Sequence, residues 1–249
     1  MICPARNVVL LLAALFAALM GCGGSREVRK VDTSNNSSAS PAPVTSTPRK
    51  LKPGPITYVA IGDSTGVGVG AREGGYVRRL AKRLEAVRPH SKLINLCVSG
   101  AATPDVIRSQ LSPAVRANPD LVTVGIGIND IGHGIGVAEF AKNFDKILTE
   151  LREHTSAEIV VTNLPDISSS TRVPPVIRAE SQTLIGQYNQ KLQGIAAHHG
   201  LSVFDVYTLT HNELPTHPEY FSADGFHPSD EGYQLWAEHM WPMIESLLQ

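Results

Sequence analysis

From Ile56 to the C-terminus, short apolar runs alternate with longer amphipathic segments. The apolar runs are rich in Val, Ile and Leu and lack strict alternation, which is typical of strands in a parallel sheet that is covered on both faces. They predict five β-strands, at Ile56–Ile61, Leu93–Val98, Leu121–Ile126, Glu158–Thr162 and Ser202–Val206.

The segments between these runs carry apolar residues at helical spacing. Thr103 is expected to cap one of the resulting helices, because Pro104 and Asp105 follow it as the first helical residues. The predicted helices lie at Gly75–Val87, from Thr103 onward, at Val137–His154, at Ile177–His199 and at Glu231–Leu248.

The alternation of strands and helices predicts an α/β fold, a doubly wound parallel sheet with helices on both faces. A flavodoxin-like strand order of 2-1-3-4-5 would place the loops after the first and third strands on either side of the switch point. Polar residues at the ends of those strands are therefore the first candidates for a functional site.

The N-terminus has the pattern of a secretory signal. Arg6 precedes Val8–Met20, an apolar run of 13 residues that is too short for a comfortable membrane span of roughly 20. The run ends in Leu19-Met20-Gly21-Cys22, which resembles the bacterial lipobox. Residues 1–21 are therefore predicted to be a lipoprotein signal peptide, with Cys22 lipidated after cleavage. A plain signal with a chance cysteine and an uncleaved anchor are the alternatives.

The segment after Cys22 differs from the rest of the chain in composition and charge. Residues 23–55 carry six Lys or Arg and two Asp or Glu, a net charge of +4, whereas residues 56–249 carry fifteen and twenty-one, a net charge of −6. Ser, Asn, Thr, Pro and Ala dominate the first segment, which cannot bury enough apolar surface to offset its ordering entropy. Residues 22–55 are predicted to be a lipidated, disordered tether, and residues 56–249 the folded domain. The overall net charge of −1 gives no reason to expect a nucleic-acid partner.

Polar residues with catalytic potential follow four of the predicted strands. Ser64 follows the first strand, Gly100 the second and Asn129 the third, while Asp224 and His227 come after the fifth. The carboxyl ends of parallel strands share one edge of the sheet, so these residues are expected to converge.

The chemistry of these residue types suggests a role for each. Ser64 is a weak nucleophile until a base, His227, removes its proton. Asp224 would hold one imidazole nitrogen while the other faces Ser64. The backbone N–H groups of Ser64 and Gly100 and the side-chain amide of Asn129 would donate to a developing oxyanion, each worth roughly 3 kcal/mol.

Four short motifs carry a resemblance to the SGNH/GDSL hydrolase family. They are GDS at 62–64, the glycine of NLCVSG at 100, GxND at 127–130 and DxxH at 224–227. The resemblance extends from about residue 56 to the C-terminus. It implies a three-layer α/β/α sandwich that hydrolyses carboxylic esters or thioesters through an acyl-enzyme, with no metal or organic cofactor. Thr65 departs from the family's fourth letter, a position that is not catalytic in the family.

Other readings of the same residues remain. The string from Gly62 to Gly66 fits the G-x-S-x-G elbow of α/β-hydrolases, but no strands precede it and the acid lies only three residues before His227. The glycines that follow Ser64 do not have the G-x-G-x-x-G spacing of a dinucleotide loop. A non-catalytic surface binding protein is disfavoured because serine, acid and histidine are all present.

Several further residues are expected near the site. Asp63 and Asp130 are interpreted as supports for their turns, and Asn163 and Asp166 as possible parts of the cleft. His133 is a candidate substrate contact. His211 and His217 do not have the spacing of a metal motif. The walls of the acyl pocket are predicted in three loops, Val67–Ala71, Pro165–Val176 and Tyr207–Ala223.

The predicted function is that of a lysophospholipase-like or acyl-ester hydrolase acting on small-molecule, lipid or saccharide esters. It would be lipid-anchored at Cys22 in a bacterial cell envelope, facing the periplasm or the exterior. A carbohydrate O-acetyl esterase and an O-acyltransferase of the envelope are the alternatives, since both use the same three residues.

Overall fold

A computed structural model of the chain describes residues 50–249. The predicted signal, Cys22 and most of the predicted tether lie outside these residues. Five parallel strands form one sheet in the order β2-β1-β3-β4-β5, which confirms the flavodoxin-like prediction. The strands are β1 (Thr57–Gly62), β2 (Lys92–Asn95), β3 (Leu121–Gly125), β4 (Glu158–Thr162) and β5 (Ser202–Phe204).

Helices cover both faces of the sheet. They are α1 (Ser64–Val67), α2 (Tyr76–Val87), α3 (Thr103–Asp105), α4 (Leu111–Arg116), α5 (Ile128–Gly132), α6 (Val137–His154), α7 (Arg178–His198), α8 (Val206–Glu213) and α9 (Asp230–Ser246). A π-helical turn, Val106–Gln110, joins α3 to α4, and 3₁₀ turns lie at Pro175–Ile177 and Pro218–Tyr220. No helix within residues 50–249 has the length and apolar character needed to cross a bilayer.

The side chains of β1 show how the three layers arise. Val59 and Ile61 point into a core shared with α6 and α7, whereas Tyr58 and Ala60 point into a second core shared with α2 and α9. In the second core the rings of Tyr76 and Trp236 stack with centroids 4.7 Å apart. Because both faces of β1 are buried, its sequence shows no alternation of polar and apolar residues.

Two predicted strands end earlier than expected, because in each a polar side chain accepts a hydrogen bond from a nearby backbone N–H. β2 ends at Asn95, whose side-chain oxygen accepts from the Cys97 N–H at 3.1 Å. β5 ends before Asp205, which caps α8 by accepting from the Thr208 N–H at 3.0 Å. The helix α8 therefore occupies a stretch that was predicted to be loop.

The predicted cap of the helix at Thr103 is also wrong. The N-cap residue is Ala102, and Thr103 is the first helical residue. The Thr103 hydroxyl donates instead to Asp130 Oδ1 at 2.5 Å, across the sheet edge.

The chain contacts the domain before residue 56. The Leu51 N–H donates to the Leu247 carbonyl at 2.7 Å, and Arg88 donates to the Gly54 carbonyl at 3.3 Å. Residues 50–55, assigned above to the tether, therefore lie along the end of α9 and beside α2.

Gly62, the last residue of β1, lies too close to β3 for any side chain. A Cβ at this position would lie 2.2 Å from the Gly125 carbonyl oxygen, a backbone atom that cannot rotate away. β1 and β3 pair up to this point, with Gly62 opposite Gly125. Because the backbones approach so closely, β1 and β3 stay paired up to Gly62, just before the chain turns towards Ser64.

We therefore expect Gly62→Ala to lower the free energy of unfolding by about 3 kcal/mol or more, through overpacking against the Gly125 backbone. Urea unfolding of the purified protein, followed by circular dichroism, measures the change. Gly194→Ala is the matched control, because a Cβ there meets nothing within 4 Å and alanine favours the helix. Equal stabilities for the two variants would contradict the packing argument.

Candidate active site

Ser64 lies at the point where β1 turns into α1. Asp63 caps this short helix, since its Oδ1 accepts from the N–H of Thr65 at 2.9 Å and from the Thr65 hydroxyl at 2.8 Å. The interpretation of Asp63 as a support for the turn agrees with these contacts. Burial raises the pKa of Asp63, although both hydrogen bonds from Thr65 oppose that shift.

The structure brings Ser64 together with His227 and Asp224. His227 Nε2 lies 3.0 Å from Ser64 Oγ, and His227 Nδ1 lies 2.6 Å from Asp224 Oδ2. The serine and the histidine are 163 residues apart in the chain. Ser64 directly follows β1, whereas His227 lies in the turn that precedes α9.

The turn around Asp224 concentrates hydrogen-bond donors on one carboxylate. Besides His227 Nδ1, it accepts from the Ser222 hydroxyl at 2.9 Å and from the backbone N–H groups of Phe226 at 2.7 Å and His227 at 2.9 Å. Burial by itself would raise the pKa of Asp224, but these donors outweigh it and hold the pKa at about 2. The carboxylate is therefore ionised at neutral pH. His227 Nδ1 must carry a proton to donate to it, and in the neutral imidazole Nε2 is left as an acceptor facing Ser64.

A neighbouring loop braces this turn from outside. The Ser170 hydroxyl donates to the Gly225 carbonyl at 2.6 Å, and Arg172 Nε donates to the Asp224 carbonyl at 2.7 Å. Both residues belong to Pro165–Val176, a loop that was predicted to form part of the pocket wall. Its central part instead supports the Asp224 backbone, a role that sequence spacing gave no means of finding.

Asn129, in α5, and Gly100, just before α3, lie on two segments that are joined by hydrogen bonds. Asn129 is 1% exposed, and its Nδ2 donates to the Ala101 carbonyl at 2.9 Å, which leaves its second N–H available. Gly100 has a left-handed backbone with a φ of 79°, a conformation that glycine adopts at little cost. Among residues 50–249, the N–H groups of Ser64 and Gly100 donate to no protein acceptor.

Asp130, in α5, links the same two segments. Its carboxylate accepts from the Thr103 N–H at 3.0 Å and from the Thr103 hydroxyl at 2.5 Å. Burial raises the pKa of Asp130 to about 6, against the effect of both Thr103 bonds. Thr103 is thus a supporting residue that was mistaken for a helix cap.

Ser64 and His227 open into a cleft between the sheet edge, α8 and α9. Most of its wall is apolar, and a few polar groups (Asp166, Thr210 and Glu213) interrupt it. The apolar lining residues are Ile128, Pro165, Ile167, Val206, Leu209, Leu214, Phe221, Phe226, Pro228, Leu235 and Trp236. Two of the three loops predicted to form the pocket contribute to this wall. The third, Val67–Ala71, does not, and its Val69 carbonyl accepts instead from the Tyr233 hydroxyl at 3.0 Å.

Two further histidines, His211 and His217, each contact a carboxylate other than Asp224. His211 Nδ1 lies 2.7 Å from Asp166 Oδ2, while His217 Nδ1 lies 2.7 Å from Glu219 Oε1. Within residues 50–249, no group of three or more His, Cys, Asp or Glu side chains is arranged to hold a metal ion. His133 is not among the residues that line the cleft.

Comparison with known proteins identifies the class that this fold and this serine site define. The model of the GDSL-like Lipase/Acylhydrolase family matches residues 60–235, which is most of the chain. The protein is an SGNH/GDSL-type esterase. The chain belongs to the GDSL-like lipase/acylhydrolase family, as the four motifs indicated.

Two curated relatives share 26% identity with this chain over 206 residues. One is the spore germination lipase LipC of Bacillus licheniformis, where the match covers 74% of this chain and 94% of the lipase. The other is the GDSL-like esterase Rv1075c of Mycobacterium tuberculosis, where it covers 80% of this chain and 65% of that esterase.

Solved structures have the same fold. The lipase/acylhydrolase from Enterococcus faecalis is 25% identical with a TM-score of 0.63, over 78% of this chain and 98% of its own. A catalytic mutant of Axe2, an acetylxylan esterase from Geobacillus stearothermophilus, is 20% identical with a TM-score of 0.65, over 80% of this chain and 99% of its own.

Replacing Asp224 tests the geometry of the site. We expect Asp224→Asn to lower kcat for a p-nitrophenyl ester by about 10⁴-fold with little change in KM, because an amide can stabilise the wrong imidazole tautomer. Asp145→Asn is the matched control, since it breaks a carboxylate–imidazole pair of 2.8 Å with His199, outside the cleft. A kcat within tenfold of the wild-type value in Asp224→Asn would contradict the expected role.

Proposed function

We propose that the protein hydrolyses carboxylic esters or thioesters through an acyl-enzyme, with Ser64 as nucleophile, His227 as general base and Asp224 as the orienting carboxylate. The observation that carries this proposal is the unbroken pair of hydrogen bonds, 2.6 Å and 3.0 Å, that runs from Asp224 through His227 to Ser64 Oγ in the cleft. The ionised Asp224 fixes the imidazole tautomer that a base requires.

In the first half of the reaction, Ser64 Oγ attacks the acyl carbonyl carbon while His227 Nε2 accepts the hydroxyl proton. The tetrahedral intermediate then collapses, the bond to the alcohol or thiol breaks, and His227 returns the proton to that leaving group. In the second half, water attacks the acyl-enzyme, His227 accepts a proton from the water, and the carboxylic acid leaves as Ser64 regains its proton.

The negative charge that develops on the carbonyl oxygen needs donors that are already in place. The N–H groups of Ser64 and Gly100 donate to no acceptor within residues 50–249, and one N–H of Asn129 remains free after its bond to Ala101. We assign these three groups to the oxyanion hole. Asp130 and Thr103 join the two segments that carry Asn129 and Gly100.

The wall of the cleft favours an aliphatic acyl chain over an acetyl group. Leu209, Leu214, Leu235 and Trp236 extend it beyond the catalytic residues along α8 and α9. Burying a methylene in such a wall contributes about 0.8 kcal/mol, or about a fourfold gain per methylene. We therefore propose as substrate an ester with an aliphatic acyl chain, such as a lysophospholipid.

We expect kcat/KM to rise from the acetate through the butyrate to the octanoate of p-nitrophenol, about twofold to fourfold per methylene. Leu209→Trp should flatten the series by filling the cleft while leaving the acetate unaffected. A series that falls with chain length would instead favour the carbohydrate O-acetyl esterase. Acyl transfer to an added saccharide hydroxyl in preference to water would favour the transferase.

We also propose that the enzyme is held at a bacterial membrane, facing the periplasm or the exterior, by a lipid on Cys22. The lipobox-like Leu19–Cys22 stretch and the polar, basic segment after it support this location. In a bacterial host fed labelled palmitate, the wild-type chain should incorporate label and sediment with membranes, whereas Cys22→Ser should do neither. Incorporation of label by Cys22→Ser would contradict the assignment.

A further inference from the structure

The carboxamide of Gln110 spans both backbone groups of Gly62. The Gly62 N–H donates to Gln110 Oε1 at 2.8 Å, and Gln110 Nε2 donates to the Gly62 carbonyl at 2.9 Å. Gln110 is 1% exposed, so neither of its polar atoms has water as an alternative partner. Gly62 is only two residues from Ser64.

The end of β2 explains why Gly62 needs this partner. On the β2 side of β1, strand pairing stops where Ala60 lies opposite Asn95. The Gly62 carbonyl faces the same side, since it accepts from the Val98 N–H at 3.1 Å. In a strand the N–H of a residue points to the same side as its carbonyl, so the Gly62 N–H faces a stretch where β2 offers no carbonyl. Gln110 supplies the missing acceptor.

The π-helical turn delivers Gln110 to this position. Across Val106–Gln110 the helix widens, and the Leu111 N–H donates to the carbonyl of Val106, five residues earlier. Pro113 gives a physical reason for the irregularity, because it has no N–H to donate to Ser109 and its ring would crowd that carbonyl. Such turns are frequent at functional sites.

We propose that Gln110 is a positioning residue for the nucleophile: its buried carboxamide fixes the Gly62 peptide groups from which Ser64, and the Ser64 N–H, are presented to the substrate. The inference rests on the proposed role of Ser64. Gln110 also holds the loop that leads to Gly100, because the Gly62 carbonyl it contacts is the one that accepts from Val98.

The same device occurs at a second strand end and provides a matched control. The Leu164 N–H donates to Asn189 Oδ1 at 2.7 Å, and Asn189 Nδ2 donates to the Leu164 carbonyl at 2.9 Å. This buried carboxamide closes the chain after β4, where none of the proposed catalytic residues lies. Removing either carboxamide leaves one backbone N–H and one backbone carbonyl without this partner. Only the groups of Gly62, which Gln110 contacts, lie close to Ser64 in the chain.

The experiment compares Gln110→Met and Asn189→Leu in the purified protein. Each replacement keeps the approximate volume and removes two hydrogen bonds, so both should unfold at a lower urea concentration. We expect Gln110→Met to reduce kcat for a p-nitrophenyl ester, and the rate of labelling by a fluorophosphonate, by roughly 10- to 100-fold with KM nearly unchanged. Asn189→Leu should stay within about twofold of the wild type in both.

A second variant guards against misfolding. Gln110→Glu, with its buried carboxyl group protonated, keeps an acceptor for the Gly62 N–H and a donor to the Gly62 carbonyl, and we expect it to retain more kcat than Gln110→Met. Wild-type kcat and labelling rate in folded Gln110→Met, or equal losses in Asn189→Leu, would overturn the inference and leave Gln110 a purely structural residue. Failure of the wild-type protein itself to be labelled, with Ser64→Ala as reference, would instead refute the proposed function.

Discussion

The buried hydrogen bonds at the carboxyl ends of the strands constrain the rest of this structure. A parallel strand that ends inside a protein leaves N–H and carbonyl groups without ladder partners, and each such group left unpaired costs about 1 to 3 kcal/mol. Here side-chain carboxamides take the place of missing strand. Gln110 pairs with Gly62, Asn189 with Leu164, and Asn95 Nδ2 donates to the Gly66 carbonyl at 2.8 Å. Two of these carboxamides, on Gln110 and Asn95, therefore fix the chain on either side of Ser64.

The pKa values of the carboxyl groups at the site follow from their burial and from the hydrogen bonds that they accept. Asp224 accepts from four groups and has a pKa of about 2, whereas burial raises the pKa of Asp130 to about 6 in spite of its bonds from Thr103. Burial likewise raises the pKa of Asp63, although its carboxylate accepts two hydrogen bonds from Thr65. The negative charge of Asp224 can therefore stabilise a histidine that takes up a proton.

The sequence was sufficient to predict the architecture, because buried parallel strands and amphipathic helices leave patterns that depend on local residues alone. The sequence also predicted that Ser64 and His227 would lie together, and the structure places His227 Nε2 3.0 Å from Ser64 Oγ. What it did not predict depends on contacts between distant segments. Thr103 has the local pattern of a helix cap, yet its hydroxyl bonds Asp130, 27 residues away. Gln110 lies among helical residues with nothing to mark its bonds to Gly62, 48 residues earlier.

The most direct test of this account is to identify the residue that a fluorophosphonate modifies in the purified protein, by intact mass and peptide mass spectrometry. We predict a single adduct on the peptide that contains Ser64 and no adduct in Ser64→Ala. An adduct on another residue, or a folded wild-type protein that remains unmodified, would contradict the claim that this rim of the sheet activates Ser64.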